Sequence, residues 1–449
     1  MAQVPVGDLR VAFIEAACWH GTLERAEAML VEHPELRSAD IHLAAILGDE
    51  AAVRRFIARD PASVTAQSPP WGGDPLNYLG LSKYLRLHPE RTEDFVRTAT
   101  ALLDAGAPAH TGFWTAGEHP EFETALYGAA GVAHNAPLTR LLIERGADPN
   151  DEDAVYHAPE GHDLGALKVL VETGRVIPEH LLLMLLRKLD WHDPEGVRYL
   201  LTKDIDLGRR WKRAGTALHH ALDRDNSLQI IELLLDHGAD PHAVDRGRTA
   251  IALAARKGRS DVLKALERRG VTLELRGVER LHAALARADG TAAHAIAKDE
   301  PALLREVLAD GGTLLSEFTL TWNNDGVRLL LELGAPATAR YDGYGYFDIA
   351  NDSTALHVAA WMLNSELVRL LLERGVPANA RDGRGRTPLM LAVKACVDSY
   401  WTERRTPEPA RLLLEAGASL EGVGIPTGYD ELDDVLRHYE KRGAKDRRA

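Results

Sequence analysis

The side chains in this sequence that could do chemistry fall into three groups. The first is a compact trio, Trp191, His192 and Asp193, in the stretch KLDWHDPEG. A histidine titrates near neutral pH and suits a general base aimed into a groove, although adjacency in sequence need not orient His192 and Asp193 toward each other. The plainer alternative is a solvated turn in which Asp193 caps the helix opened by Pro194. With His192, the acids Asp74, Asp348 and Asp352 are the first that an active site would draw on. The second group is a basic tip, Arg209, Arg210, Lys212 and Arg213 around Trp211, able to grip a carboxylate or phosphate or to serve only as a soluble loop. The third and largest is aromatic: Trp71, Tyr78, Phe113, Trp114, Tyr127, Trp191, Trp211, Trp322, Tyr344, Tyr346 and Trp361. Aromatic faces beside acids suit a peptide, a cationic group or an amphipathic small molecule.

Recognised catalytic patterns are missing from the sequence. It contains no Walker-type phosphate loop, Gly-x-Ser-x-Gly elbow, Cys-x-x-Cys pair or His-Glu-x-x-His spacing. The glycine-rich DGRGR at 382–386 lacks the flanking strand and helix of a phosphate cradle. Neither a metal nor a cofactor is expected. The sequence has 19 histidines, and five of them, His42, His157, His162, His219 and His357, fall at recurrent positions that a structural role explains.

Those positions follow from a repeat. Thr216–His219 (TALH) leads to Thr249, and Thr354–His357 (TALH) leads to Thr387 (TPLM), 33 residues on each time. Related tetrads read at 39–42 (ADIH), 74–77 (DPLN), 124–127 (TALY) and 154–157 (AVYH). The Thr is placed to cap an inner helix, with Pro tolerated in its first turn. Apolar runs LLI at 141–143, LLL at 233–235 and LLL at 370–372 read as buried faces of outer helices. Each is followed by a glycine suited to the left-handed residue that ends a helix, as at Gly106, Gly146, Gly238, Gly270, Gly334, Gly375 and Gly417. Further helix pairs read at 178–201, 279–308 and 314–331.

The stretch LVRLLLERGVPANARDGRGRTPLMLAV at 367–393 closely resembles the ankyrin repeat, and the resemblance extends with varying fidelity over most of the chain. It implies an all-α fold, an ankyrin-type helical solenoid of about eleven to twelve helix-turn-helix units with short β-hairpin fingers. Residues 1–38 are expected to form N-terminal capping helices, 39–428 the array, and 429–449 a C-terminal capping helix and polar tail.

Two fingers depart from the pattern. From exit glycine to next tetrad is 12 residues at Gly375–Thr387 and 11 at Gly238–Thr249, but 18 at Gly106–Thr124 and 20 at Gly334–Thr354. The elongated tips, 107–123 and 335–353, are rich in aromatics and acids, which solvated loops seldom carry without a use. Either they cover small cores of their own or they face a ligand. Function is therefore expected there: an adaptor, inhibitor or scaffold that recognises a protein or peptide in an aromatic, acidic concave groove. The alternative is a solenoid adapted as an enzyme or small-molecule receptor, with the long fingers closing a pocket.

Composition bounds the setting. With 45% hydrophobic and 27% charged residues the chain has ample material for a core. A net charge of −14 disfavours nucleic acid and anionic lipid as partners. Only Cys18 and Cys396 are present, near opposite ends, so no disulfide is expected and a reducing compartment fits. No basic leader or apolar span of about 20 residues occurs. A monomeric, cytoplasmic protein is expected, and the Ala, Arg and Leu bias suits a bacterial GC-rich genome.

Overall fold

The computed structural model describes residues 6–211, 214–399 and 401–446. Lys212 and Arg213 of the basic tip, Tyr400 and the last three residues of the tail lie outside the described residues. The chain divides into two units, one running to Ala221 together with Leu233–Ala239, the other comprising Leu222–Glu232 and everything from Asp240.

Within each unit the fold is a succession of short antiparallel helix pairs. The first unit holds Val6–Ala17 with Leu23–Glu32, Ile41–Ile46 with Glu50–Arg59, Pro75–Gly80 with Thr92–Asp104, and the 125–132 segment with Ala136–Glu144. Glu152–His157 with Gly165–Glu172 and Pro178–Asp190 with Pro194–Leu201 follow. The second unit holds Ala250–Arg256 with Ser260–Arg268, Gly311–Leu320 with Asn324–Glu332, Ala355–Trp361 with Ser365–Glu373, and Pro388–Val397 with Glu408–Glu415. The stretch 279–308 is not one pair but three helices, Val278–Ala286, Gly290–Asp299 and Pro301–Ala309. Inner helices pack on inner helices and outer on outer within a unit, so each repeat buries a face it could not bury alone.

The repeat grammar explains the local structure. All seven exit glycines have positive φ, from 74° to 103°, a region that costs a side-chain-bearing residue strain. Thr124 caps its inner helix by accepting the Tyr127 N–H (2.9 Å), and Asp74 accepts that of Asn77 (2.9 Å). Two tetrads sit in a different register from the one the sequence suggests. Asp40 caps Ile41–Ile46, which places His42 one position earlier. Asp151 caps Glu152–His157, so His157 closes that helix instead of opening it. Aspartate caps as well as threonine does, and the tetrad alone does not distinguish the two registers.

The apolar triplets are not uniform faces, because a helix rotates 100° per residue. Leu142, Leu234 and Leu371 are fully buried, whereas Leu141 and Leu233 are only half-buried.

Among the described residues, three two-stranded antiparallel hairpins form fingers: Gly112–Trp114 with Phe122–Thr124, Val244–Asp245 with Arg248–Thr249, and Arg340–Tyr341 with Ser353–Thr354. The first and last are the two elongated fingers. No helix among the described residues is long and apolar enough to cross a membrane.

Candidate functional site

The first elongated finger lies in the first unit. In its hairpin Phe113 is paired with Glu123 and Trp114 with Phe122. Paired residues project from the same face of a hairpin, and alternate residues from opposite faces. The two pairs thus lie on opposite faces. Trp114 and Phe122 meet at 5.1 Å on the outside, 65% and 37% exposed. Phe113 turns inward and is buried.

Phe113 joins an aromatic cluster. Its ring stacks at 6.0 Å on Trp71 and meets Trp19 edge-on at 5.8 Å, and Trp19 meets Trp71 at 5.6 Å. Tyr78, fully buried, backs Trp71 and donates its hydroxyl to the Ser68 carbonyl (2.6 Å). The Trp19 indole N–H donates to the Tyr127 hydroxyl (3.2 Å). Trp19 is the member that the sequence did not single out. It follows the first helix in a segment without a tetrad, and only its positive φ of 49° marks the position as special.

Beside this wall lies a group of carboxylates. Glu123 is only 3% exposed, and its Oε2 has no hydrogen-bond partner. Burial, followed by the neighbouring Asp153 and Glu121, pushes its pKa up to about 7. Burial also raises Asp153 and Asp151, with nearby acids adding to it. Asp151 accepts the Thr124 hydroxyl (2.7 Å), tying the caps of consecutive repeats together. Asn77 Nδ2 donates to the Glu123 carbonyl (2.9 Å), which fixes this strand against the previous inner helix.

The inner helices continue the row as a chain of polar side-chain contacts. His157 faces Tyr127 at 5.3 Å and Glu160 at 3.1 Å; Arg187 bonds Glu160 (2.6 Å) and Asp190 (2.7 Å); Asp190 meets His220 (2.9 Å). Between Tyr127 and Ala133 the inner helix widens into a π turn, Gly128–Val132, a feature common near functional sites.

The remaining expected site residues are placed as follows. Asp193 does not orient His192: its carboxylate pairs with the buried Lys188 (2.9 Å) and caps Pro194–Leu201 through the Glu195 and Gly196 N–H groups. His192 is exposed, on the same inter-helix turn as Trp191. Trp211 is half-buried in the tip that bridges back to Gly215. Asp74 is buried, caps Pro75–Gly80 and accepts the Thr111 hydroxyl.

In the second unit Trp322 sits 43% exposed on a turn between paired helices, and Trp361 is buried in an inner helix against Trp401. Tyr344 and Tyr346 pack on Phe347 at 5.3 and 4.8 Å. The Tyr344 hydroxyl accepts from Arg224 (2.8 Å) and donates to the Asp223 carbonyl (3.2 Å), while Arg224 lies over the Tyr346 ring at 4.2 Å. The tip of the second finger is therefore packed on its own Phe347 and tied to Asp223 and Arg224 of an earlier repeat. Asp348 locks it, paired with Arg384, Arg386 (3.0 Å) and Lys394 (2.7 Å). Asp352 is exposed with φ of 59°.

Two clefts, one lined by Glu27, Tyr84, Arg91 and Arg97 and one by Leu273, Arg280 and Ile296, contain none of these residues. Among the described residues no three His, Cys, Asp or Glu side chains are arranged to hold a metal ion.

The recurrent histidines support the repeats themselves. At His357, Nδ1 accepts the Thr354 N–H (3.1 Å), which leaves Nε2 to donate to the carbonyls of Ala380 (3.0 Å) and Arg386 (3.2 Å) in the next finger. Burial pushes its pKa down to about 4, consistent with a neutral ring. The family model for ankyrin repeats in three copies matches residues 183–276 and 323–421. The chain carries ankyrin repeats.

Two relatives share similarity with this ankyrin-repeat chain. Protein glp-1 of Caenorhabditis elegans is 29% identical over 191 residues, 37% of this chain and 14% of that protein. A probable E3 ubiquitin-protein ligase, XBOS34, of Oryza sativa subsp. japonica is 36% identical over 100 residues, 18% of this chain and 19% of that protein. The chain thus matches less than a fifth of either relative's length. Among solved structures, the ankyrin repeat domain of Bcl-3 is 23% identical, with 51% of this chain and 97% of that one covered and a TM-score of 0.24. The aromatic cluster around Trp71 and the carboxylates Glu123, Asp151 and Asp153 precede both stretches that the family model matches.

Proposed function

We propose that this ankyrin-repeat chain is a non-catalytic binding protein, an adaptor, inhibitor or scaffold, that recognises a protein or peptide segment on both faces of its first elongated finger and on the adjoining inner helices of its first unit. Ankyrin repeats are in general protein-interaction modules. The observation that carries the reading is the division of labour at the first finger. Phe113 and Tyr78 are buried as its support, while Trp114 remains 65% exposed and Trp19 and Trp71 half-exposed. An exposed tryptophan on a braced hairpin offers large contact area with few rotamers to immobilise. The second finger has its aromatics engaged with one another and takes a supporting role. The reading further places a monomer in the cytoplasm, where the buried free thiols of Cys18 and Cys396 stay reduced.

Selection of ligands from a random dodecapeptide library on the full chain tests this, followed by hydrogen exchange with a selected peptide bound. Protection is expected at 107–123 and on the inner helices through His157. Peptides that protect only the outer helices, or a library that yields no binder, would contradict it.

A further inference from the structure

The wall beside the first finger has a chemical preference of its own. Glu123 is 97% removed from solvent by its 3% residual exposure, and its Oε2 has no hydrogen-bond partner. A buried acceptor left unsatisfied is costly, and a buried carboxylate among other carboxylates more so. The Glu123 strand is held by Asn77, and the Oδ1 of that same Asn77 is also unpartnered although the residue is fully buried. Two acceptors on adjoining segments therefore lack a donor. Phe113 leaves the hairpin on the same face as Glu123 and carries the aromatic wall with it.

We propose that the peptide recognised by the first unit is basic, and that one lysine or arginine side chain of it seats at Glu123, its stem along the half-exposed indole of Trp19. This rests on the binding reading above and specifies its partner. The cation supplies the missing donor, and its charge offsets the repulsion between Glu123 and its acidic neighbours. Aromatic faces favour the same ligand through cation–π attraction and cover its apolar methylenes. The half-exposed Asp153 and exposed Glu121 leave the approach acidic. The groups that act on Glu123 are Asp153, Glu121 and Asp151, which disfavour its ionisation, and His157, which favours it. Binding of a cation draws a proton from Glu123, so affinity rises with pH through about 7.

The test uses the full chain, its Glu123→Gln variant and peptides from the random dodecapeptide selection, with titrations at pH 6 and pH 8. Three results are expected. Selected sequences are enriched in Lys or Arg; Glu123→Gln weakens them about tenfold, as loss of one charge-assisted contact does; and the gain in affinity from pH 6 to pH 8 disappears in that variant. A His157→Gln variant that keeps the gain assigns it to the carboxylate. The proposal is overturned if peptides that protect 107–123 show no basic enrichment and bind Glu123→Gln as they bind the parent, which leaves the general binding reading standing. It is also overturned if calcium ions alone raise the melting temperature of the parent but not of Glu123→Gln, since the ligand would then be a metal ion. Peptides that protect no part of the first finger remove both readings together.

Discussion

Glu123 shows how one residue links stability and recognition. Its folded pKa of about 7 lies above the ordinary 4.5, so folding favours its protonated form. Stability associated with the neutral acid is complete below the ordinary value and is lost as pH rises from there through about 7. Glu123→Gln keeps the shape without the ionisation. The variant is expected to match the parent near pH 4.5 and to exceed it by about 1 to 3 kcal/mol at pH 8. Denaturation at several pH values checks this, and parallel curves for the two proteins would refute it. The sequence made the acidity of this finger legible, but not which acid is buried, because that depends on the face of a three-residue strand. Trp19 was illegible for a related reason: its partners Trp71 and Phe113 lie 52 and 94 positions away, and no local pattern connects them. The trio at 191–193 was legible as chemistry and resolved into architecture once Lys188 claimed Asp193.

At the scale of elements, the widened inner turn at 128–132 holds the first finger's repeat against its neighbour. A Cβ on Gly128 would lie 2.6 Å from the Gly80 carbonyl carbon and 2.9 Å from the Leu81 nitrogen, both main-chain atoms that cannot swing aside. Gly128→Ala is therefore expected to cost about 1 to 3 kcal/mol by overpacking, measured by chemical denaturation. A variant as stable as the parent would mean that the two inner helices slide apart freely. Helix pairs and exit glycines were legible because capping chemistry is local, and all seven glycines adopt the expected left-handed backbone. Register was less so. At 39–42 and 154–157 the caps are Asp40 and Asp151, and a pattern anchored on a terminal histidine misplaces the helix start. The three helices within 278–309 read as one pair because no glycine separates the second from the third, only Glu300 and Pro301.

At the scale of the whole molecule, two fingers that look alike in sequence differ in what their side chains engage. Both are long, aromatic and acidic. Ions and hydrogen bonds to Arg224, Arg384, Arg386 and Lys394 tie the second to other repeats, whereas the first keeps Trp114 outside and a carboxylate without a donor inside. That difference depends on partners 36 to 120 positions distant and could not be read from composition. The most direct measurement of the central claim is a calorimetric titration of a selected peptide into the parent chain and into Trp114→Ala, with thermal melting of both. Trp114 is 65% exposed and its ring meets Phe122, so at least a tenfold loss of affinity is expected, about 1.4 kcal/mol or more, with an unchanged melting temperature. Undiminished affinity, or a melting temperature that falls together with binding, would contradict it.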